Sequence, residues 1–149
     1  MKTPPAIPEN KMKILIAEDD DGHAELIIEG LRNSGITNDI IRFINGEKLL
    51  AHLDAEKQTR GTKDKLRNIL LLLDINMPRM DGVETLKRIK EDPALWEIPV
   101  IMLTTTDDPR EVERCYQLGC SLYVSKPIIF SNFVDTLHRL GLFLQIVRT

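Results

Sequence analysis

The amino-acid sequence predicts an α/β fold: one doubly wound domain built on a five-stranded parallel sheet of strand order 2-1-3-4-5. Three observations carry the prediction. Short apolar runs alternate with segments of helical apolar spacing, five times over, and strict alternation is the pattern of parallel strands joined by right-handed crossovers. Two runs, ILLLL at 69–73 and PVIML at 99–103, are apolar at every position but the leading proline, as central strands covered on both faces must be. Acidic or hydroxyl residues stand just beyond several of the runs, and an open parallel sheet gathers its chemistry at the carboxyl ends of its strands.

Taken in order, residues 12–17 (MKILIA) read as the first strand, stopping at an acidic cluster. Ala24, Ile27, Ile28 and Leu31 follow at helical spacing, and Ser34-Gly35 closes that helix. Residues 39–44 (DIIRFI) are strand-like and are broken by Asn45-Gly46; Leu49, Leu50 and Leu53 then mark a second helix. The polar segment 54–68 holds the tail of that helix and a solvated loop. After the apolar strand 69–73, Val83, Leu86 and Ile89 form the stripe of a third helix over 81–91. The strand 99–103 leads to a helix over 107–118, capped by Asp107 or Asp108, with Pro109 in the first turn, where a missing N–H costs nothing. Residues 122–124 form a short strand. Ser131 or Asn132 is expected to cap a last helix running through Phe133, Leu137 and Leu140.

The chain has 149 residues, 42% apolar and 29% charged, enough to bury a core without disulfides or a structural metal. A net charge of −3 gives no push towards nucleic acid or an anionic membrane. No apolar run approaches the ~20 residues of a membrane helix, and the proline-bearing start is no signal peptide, so a cytoplasmic location is expected. Residues 1–11 read as a flexible lead-in, 12–140 as the domain, and 141–149 as an apolar extension. Cys115 and Cys120 lack the spacing or the histidine neighbours of a metal site and read as reduced core thiols.

The strand ends hold the chemistry. The first is followed by Glu18-Asp19-Asp20-Asp21, the third by Asp74, the fourth by Thr104-Thr105-Thr106 and the fifth by Lys126-Pro127. Each has a plain structural reading: Asp20 or Asp21 as a helix cap, the threonines as strand formers, the lysine as a surface residue. Their joint occurrence at four strand ends favours a site. Carboxylates brought together repel and rise in pKa unless a cation compensates. Magnesium suits a site of few carboxylates with room for a phosphoryl oxygen. Asp19 and Asp74 supply two anionic ligands and the backbone carbonyl of Asn76 a third. Lys126 adds a fixed positive charge and Thr104 a hydroxyl. That set suits phosphoryl transfer, which rests on positioning and charge neutralisation, with Asp74 as the nucleophile.

ILIAEDD, LLLLDINMPRMDG, PVIMLTTT and YVSKP together resemble the marks of the response-regulator receiver family, over residues 13–139. The resemblance implies the flavodoxin/CheY-like sheet and a single-domain two-component regulator. It implies that Asp74 accepts a phosphoryl group from a sensor histidine kinase and slowly loses it by hydrolysis, without the chain being a conventional enzyme. Asp19, Asp74 and the Asn76 carbonyl would hold Mg2+, for which Mn2+ or Ca2+ can substitute, and Glu18 would help through water. Thr104 and the Thr105 amide would bind the phosphoryl oxygens, Lys126 would pair with them or with Asp74, and Tyr123 would follow Thr104 inwards. The Lys126-Pro127 bond would be cis. Phosphorylation would switch the surface of the fourth helix, fifth strand and fifth helix.

The long charged 54–68 segment, the LTTT run and the apolar residues Leu142, Phe143, Leu144, Ile146 and Val147 look like the stand-alone regulators paired with cyanobacterial and bacterial phytochrome kinases. The extension reads either as an extra half-turn packed on the domain or as a dimerisation arm, and the expected partners are such a kinase and a second copy, through the fifth helix or 141–149. No output domain or nucleic-acid-binding motif is expected. Asn76 and Thr106 flank the site and are candidates to gate the attacking water. The alternative is a degenerate receiver used as a scaffold without phosphorylation. A flavin binder would need a phosphate loop where Glu18 to Asp21 stand, and a metal-dependent phosphatase would want an acid at Asn76.

Overall fold

The computed structural model describes residues 12–60, 66, 68–105 and 108–139. Five strands alternate with five helices: β1 (Lys13–Ala17), α1 (Asp21–Asn33), β2 (Ile40–Phe43), α2 (Gly46–Arg60), β3 (Ile69–Asp74), α3 (Gly82–Glu91), β4 (Val100–Thr104), α4 (Pro109–Gln117), β5 (Leu122–Ser125) and α5 (Phe130–Arg139). All pairings are parallel, as the alternation predicts, and the order is β2-β1-β3-β4-β5, the flavodoxin-like order expected.

β3 and β4 are buried throughout, and β1 is buried from Ile14 onwards. Residues alternate between two apolar layers, because successive side chains of a strand point to opposite faces. Leu15, Leu71, Leu73, Val100 and Met102 meet Leu49 and Leu53 of α2, Leu86 and Ile89 of α3 and Cys115 of α4. Ile14, Ile16, Leu70, Leu72, Ile101 and Leu103 meet Ile27 and Leu31 of α1 and Phe133 and Val134 of α5. Helices therefore cover both faces. That is why the middle strands can afford no polar residue before their ends. Cys115 and Cys120 are free and buried.

Helix starts follow local chemistry. Asp20 caps α1 by accepting from the His23 N–H at 2.8 Å, Asp81 caps α3 through Glu84 N–H at 2.8 Å, and Asp108 caps α4 with Pro109 directly behind it. α2 runs on through the charged residues to Arg60, beyond the leucines that anchor it. The expected loop at 61–65 lies outside the described residues, as do Leu140 and the extension 141–149.

The last helix corrects an expectation. α5 begins at Phe130, so Ser131 and Asn132 lie inside its first turn and neither is its cap. The physical reason is a tertiary anchor. The Phe130 ring lies over Gly30 of α1, where a Cβ would overlap it, and packs against the α1 layer with Phe133 in an edge-on contact at 6.3 Å. No described helix is long and apolar enough to cross a membrane.

Candidate functional site

Register brings the strand ends level. Ala17 pairs with Leu73, Asp74 with Leu103, and Thr104 with Ser125. The residues that leave the sheet here come from four separate segments of the chain, yet they emerge along one edge.

Asp74 ends β3 and is only 5% exposed. Burial, and then the neighbouring Glu18 carboxylate, push its pKa up to about 6, against a smaller opposing pull from Lys126. The backbone N–H of Asn76 donates to it; the Asn76 side chain itself is exposed. The turn behind Asp74 depends on Gly82, whose N–H donates to Ile75 O at 2.9 Å. A Cβ at Gly82 would overlap the Asp74 carbonyl.

Glu18 is wholly buried. Its N–H donates to Phe43 O of β2 at 3.0 Å, which carries the β1–β2 ladder one residue past the strand. Its carboxylate accepts from Lys126 Nζ at 2.6 Å. Asp19, next along, is exposed. Glu18, Asp19 and Asp74 each place a carboxylate oxygen within 4.8 Å of the others'. With Lys126 Nζ 3.5 Å from Asp74 Oδ1, the cluster holds three carboxylates against one ammonium. A hard divalent cation would balance that excess, and all-oxygen donors suit one.

Thr104 closes β4 with its side chain fully buried. Its carbonyl accepts from Lys126 N–H at 2.7 Å, so the hydroxyl strand and the lysine loop are locked together. Thr105 is exposed beside it; Thr106 lies outside the described residues. Tyr123 on β5 is half-buried against the α2–α3–α4 layer, and its N–H donates to the Tyr116 hydroxyl of α4 at 3.1 Å. The Lys126-Pro127 peptide is cis, as expected.

Two neighbours were not singled out from sequence. His23 Nδ1 stands 3.4 Å from Lys126 Nζ and 3.6 Å from Glu18 Oε1. Arg42 reaches from β2 to the Glu18 carbonyl at 2.8 Å and to Asp21 at 2.7 Å. The signal for Arg42 was a lone charge inside the apolar run IIRFI. His23 left no signal, because its role comes from a residue 103 positions away. A cavity of about 390 Å³ opens beside the cluster, lined by His23, Leu26, Thr105, Lys126, Ile128 and Phe130 among others.

The model of the response regulator receiver domain matches residues 14–138. The chain belongs to the response-regulator receiver family. A receiver domain from Rhodospirillum rubrum is 42% identical, superposes with a TM-score of 0.73, and the match covers 93% of this chain and 99% of that one. Response regulator Rcp1 of Synechocystis is 34% identical over 113 residues, 76% of this chain and 75% of Rcp1. The Mn(2+)-bound form of Rcp1 superposes with a TM-score of 0.65 at 32% identity, covering 93% and 97%. The bacteriophytochrome response regulator AtBRR is 29% identical, with a TM-score of 0.73 over 88% and 93% of the two chains. This receiver is thus CheY-like and similar to the phytochrome regulators.

Proposed function

We propose that this receiver takes a phosphoryl group from the phosphohistidine of a sensor histidine kinase onto Asp74. The observation that carries the reading is the Asp74 carboxylate itself, buried at a strand end between Glu18, Asp19 and Lys126. In the transfer, a carboxylate oxygen of Asp74 bonds to phosphorus as the P–N bond to the donor imidazole breaks. Lys126 and the Thr104 hydroxyl then bind the new phosphoryl oxygens, with the Thr105 amide as a further donor, and Tyr123 follows Thr104 inwards. Slow hydrolysis from Asp74 resets the domain, with Asn76 and Thr106 gating the water.

Asp19, Asp74 and the Asn76 carbonyl would hold Mg2+, with Glu18 acting through water. Bound there, the ion neutralises charge as phosphorus changes partners. The Mn(2+)-bound Rcp1 relative supports the choice of a divalent cation.

The kinase is read as a bacteriophytochrome, on the similarity to AtBRR and Rcp1. Exposed Leu26 and Ile129, close to the cavity beside Lys126, supply apolar surface for a protein donor. Output runs through the α4–β5–α5 face, in the cytoplasm. Homodimerisation through α5 or through 141–149, which lies outside the described residues, belongs to the same reading. Sedimentation of a chain cut after Arg139 tests it, and an unchanged oligomeric state counts against the extension.

The deciding experiment is intact mass after incubation with acetyl phosphate, with and without magnesium. A magnesium-dependent gain of one phosphoryl group, absent in Asp74→Asn, supports the reading. No gain from acetyl phosphate or from the kinase's phosphohistidine defeats it.

A further inference from the structure

The peptide that carries Asp19 is gripped from β2. Glu18 N–H donates to Phe43 O, and Glu18 O accepts from Arg42 Nε at 2.8 Å. The same guanidinium is anchored by Asp21, through Nη1 at 2.7 Å. Its remaining nitrogen, Nη2, is buried with no hydrogen-bond partner among the described residues. A buried unpaired donor is a cost. Its neighbours in β2, Ile40, Ile41 and Phe43, are all apolar. Arg42 is also the one charged residue of β2 and lies opposite Ile16 in the ladder, so its stem has a fixed origin from which to reach past the strand end.

We propose that Arg42 is a positioning residue for the cation site. It holds the Glu18–Asp19 peptide so that the exposed Asp19 carboxylate stays beside the buried Asp74, and it thereby sets divalent-cation affinity. This rests on the magnesium-dependent reading of Asp74. It differs from a charge effect in sign. A cation next to four successive acidic residues lowers their affinity for a metal, so removal of its charge alone tightens binding. Removal of its grip loosens binding, because Asp19 is no longer pre-set and must be ordered by the ion.

The test uses the full chain, titrated with magnesium chloride and followed by backbone amide chemical shifts. Melting in EDTA checks that each variant folds. Arg42→Met keeps the stem and removes donors and charge. It is expected to weaken magnesium binding about ten-fold while melting as a folded protein without metal. Arg42→Lys restores one donor to the Glu18 carbonyl and is expected to recover most of the loss. Should Arg42→Met not fold, Arg42→Leu, which likewise carries no donor, takes its place with the same expected direction. Unchanged or tighter binding in the neutral variant overturns the proposal, as does an Arg42→Lys affinity no better than that of the neutral variant. An unaltered chain that binds no magnesium defeats the phosphoacceptor reading itself. That outcome is distinct from failure of the Arg42 proposal, in which the unaltered chain binds magnesium and the variants bind it equally well.

Discussion

Lys126 bonds Glu18 more closely than it approaches Asp74: Nζ stands 2.6 Å from Glu18 Oε2 and 3.5 Å from Asp74 Oδ1. The lysine is thus held beside Asp74 by a second buried carboxylate, that of Glu18. Breaking a buried pair from one side leaves the other charge stranded. Lys126→Met is therefore expected to lower metal-free stability by about 3 kcal/mol through Glu18, with a lower melting temperature in EDTA. Magnesium should restore more stability to this variant than it adds to the unaltered chain, because a competing positive charge has gone. An equal magnesium increment in the two proteins would refute this account.

The raised pKa of Asp74 makes a prediction with a definite sign. Its folded value is about 6 and its ordinary value 3.8, so between pH 4 and 6 the folded state binds more protons than the unfolded state. Stability from this group is present at low pH and lost as pH rises through the folded value. Without metal, Asp74→Asn should melt close to the unaltered chain at pH 4 and above it at pH 7. The gap is worth about 1–2 kcal/mol after solvent screening, or roughly 2–6 °C. Magnesium should close the gap by stabilising only the unaltered chain. Thermal melts at the two pH values decide it.

Gly82 is a packing requirement as much as a turn residue. Its missing Cβ leaves room for the Asp74 carbonyl. Gly82→Ala should displace that carbonyl and cost about 2–3 kcal/mol in urea unfolding. On the proposed reading of Asp74, phosphorylation by acetyl phosphate should slow as well, because that residue's own backbone is moved. A neutral effect on both would mean that the turn adjusts freely.

The two thiols are expected to be inert in the folded protein. Burial pushes Cys120 up to about 12 and also raises Cys115, so little thiolate exists at pH 8. Native protein should resist a disulfide reagent that titrates both cysteines rapidly in urea. Fast labelling of either in the folded state would contradict the packing around α4.

Much of this molecule is legible in sequence because its elements are local statements. ILLLL at 69–73, set within the strand–helix alternation, reads as a strand covered on both sides, and each carboxylate after a strand sits where an open parallel sheet exposes its chemistry. Period and position along the chain were enough for the parallel α/β class; the strand order came from its likeness to the flavodoxin-like arrangement, and with it the meeting of Glu18, Asp19, Asp74, Thr104 and Lys126. The start of α5 was not legible, because the Phe130 ring over Gly30 involves residues 100 apart in the chain.

By itself, then, the sequence determined the α/β architecture and the residues of the acidic edge, since both follow from apolar period and from charges placed at strand ends. Only the tertiary structure decided that Lys126 is held by Glu18, that His23 stands against them both, and that Arg42 grips the Glu18 carbonyl. These are through-space contacts between polar atoms of distant segments. Their partners are set by strand register and burial, which no local pattern encodes.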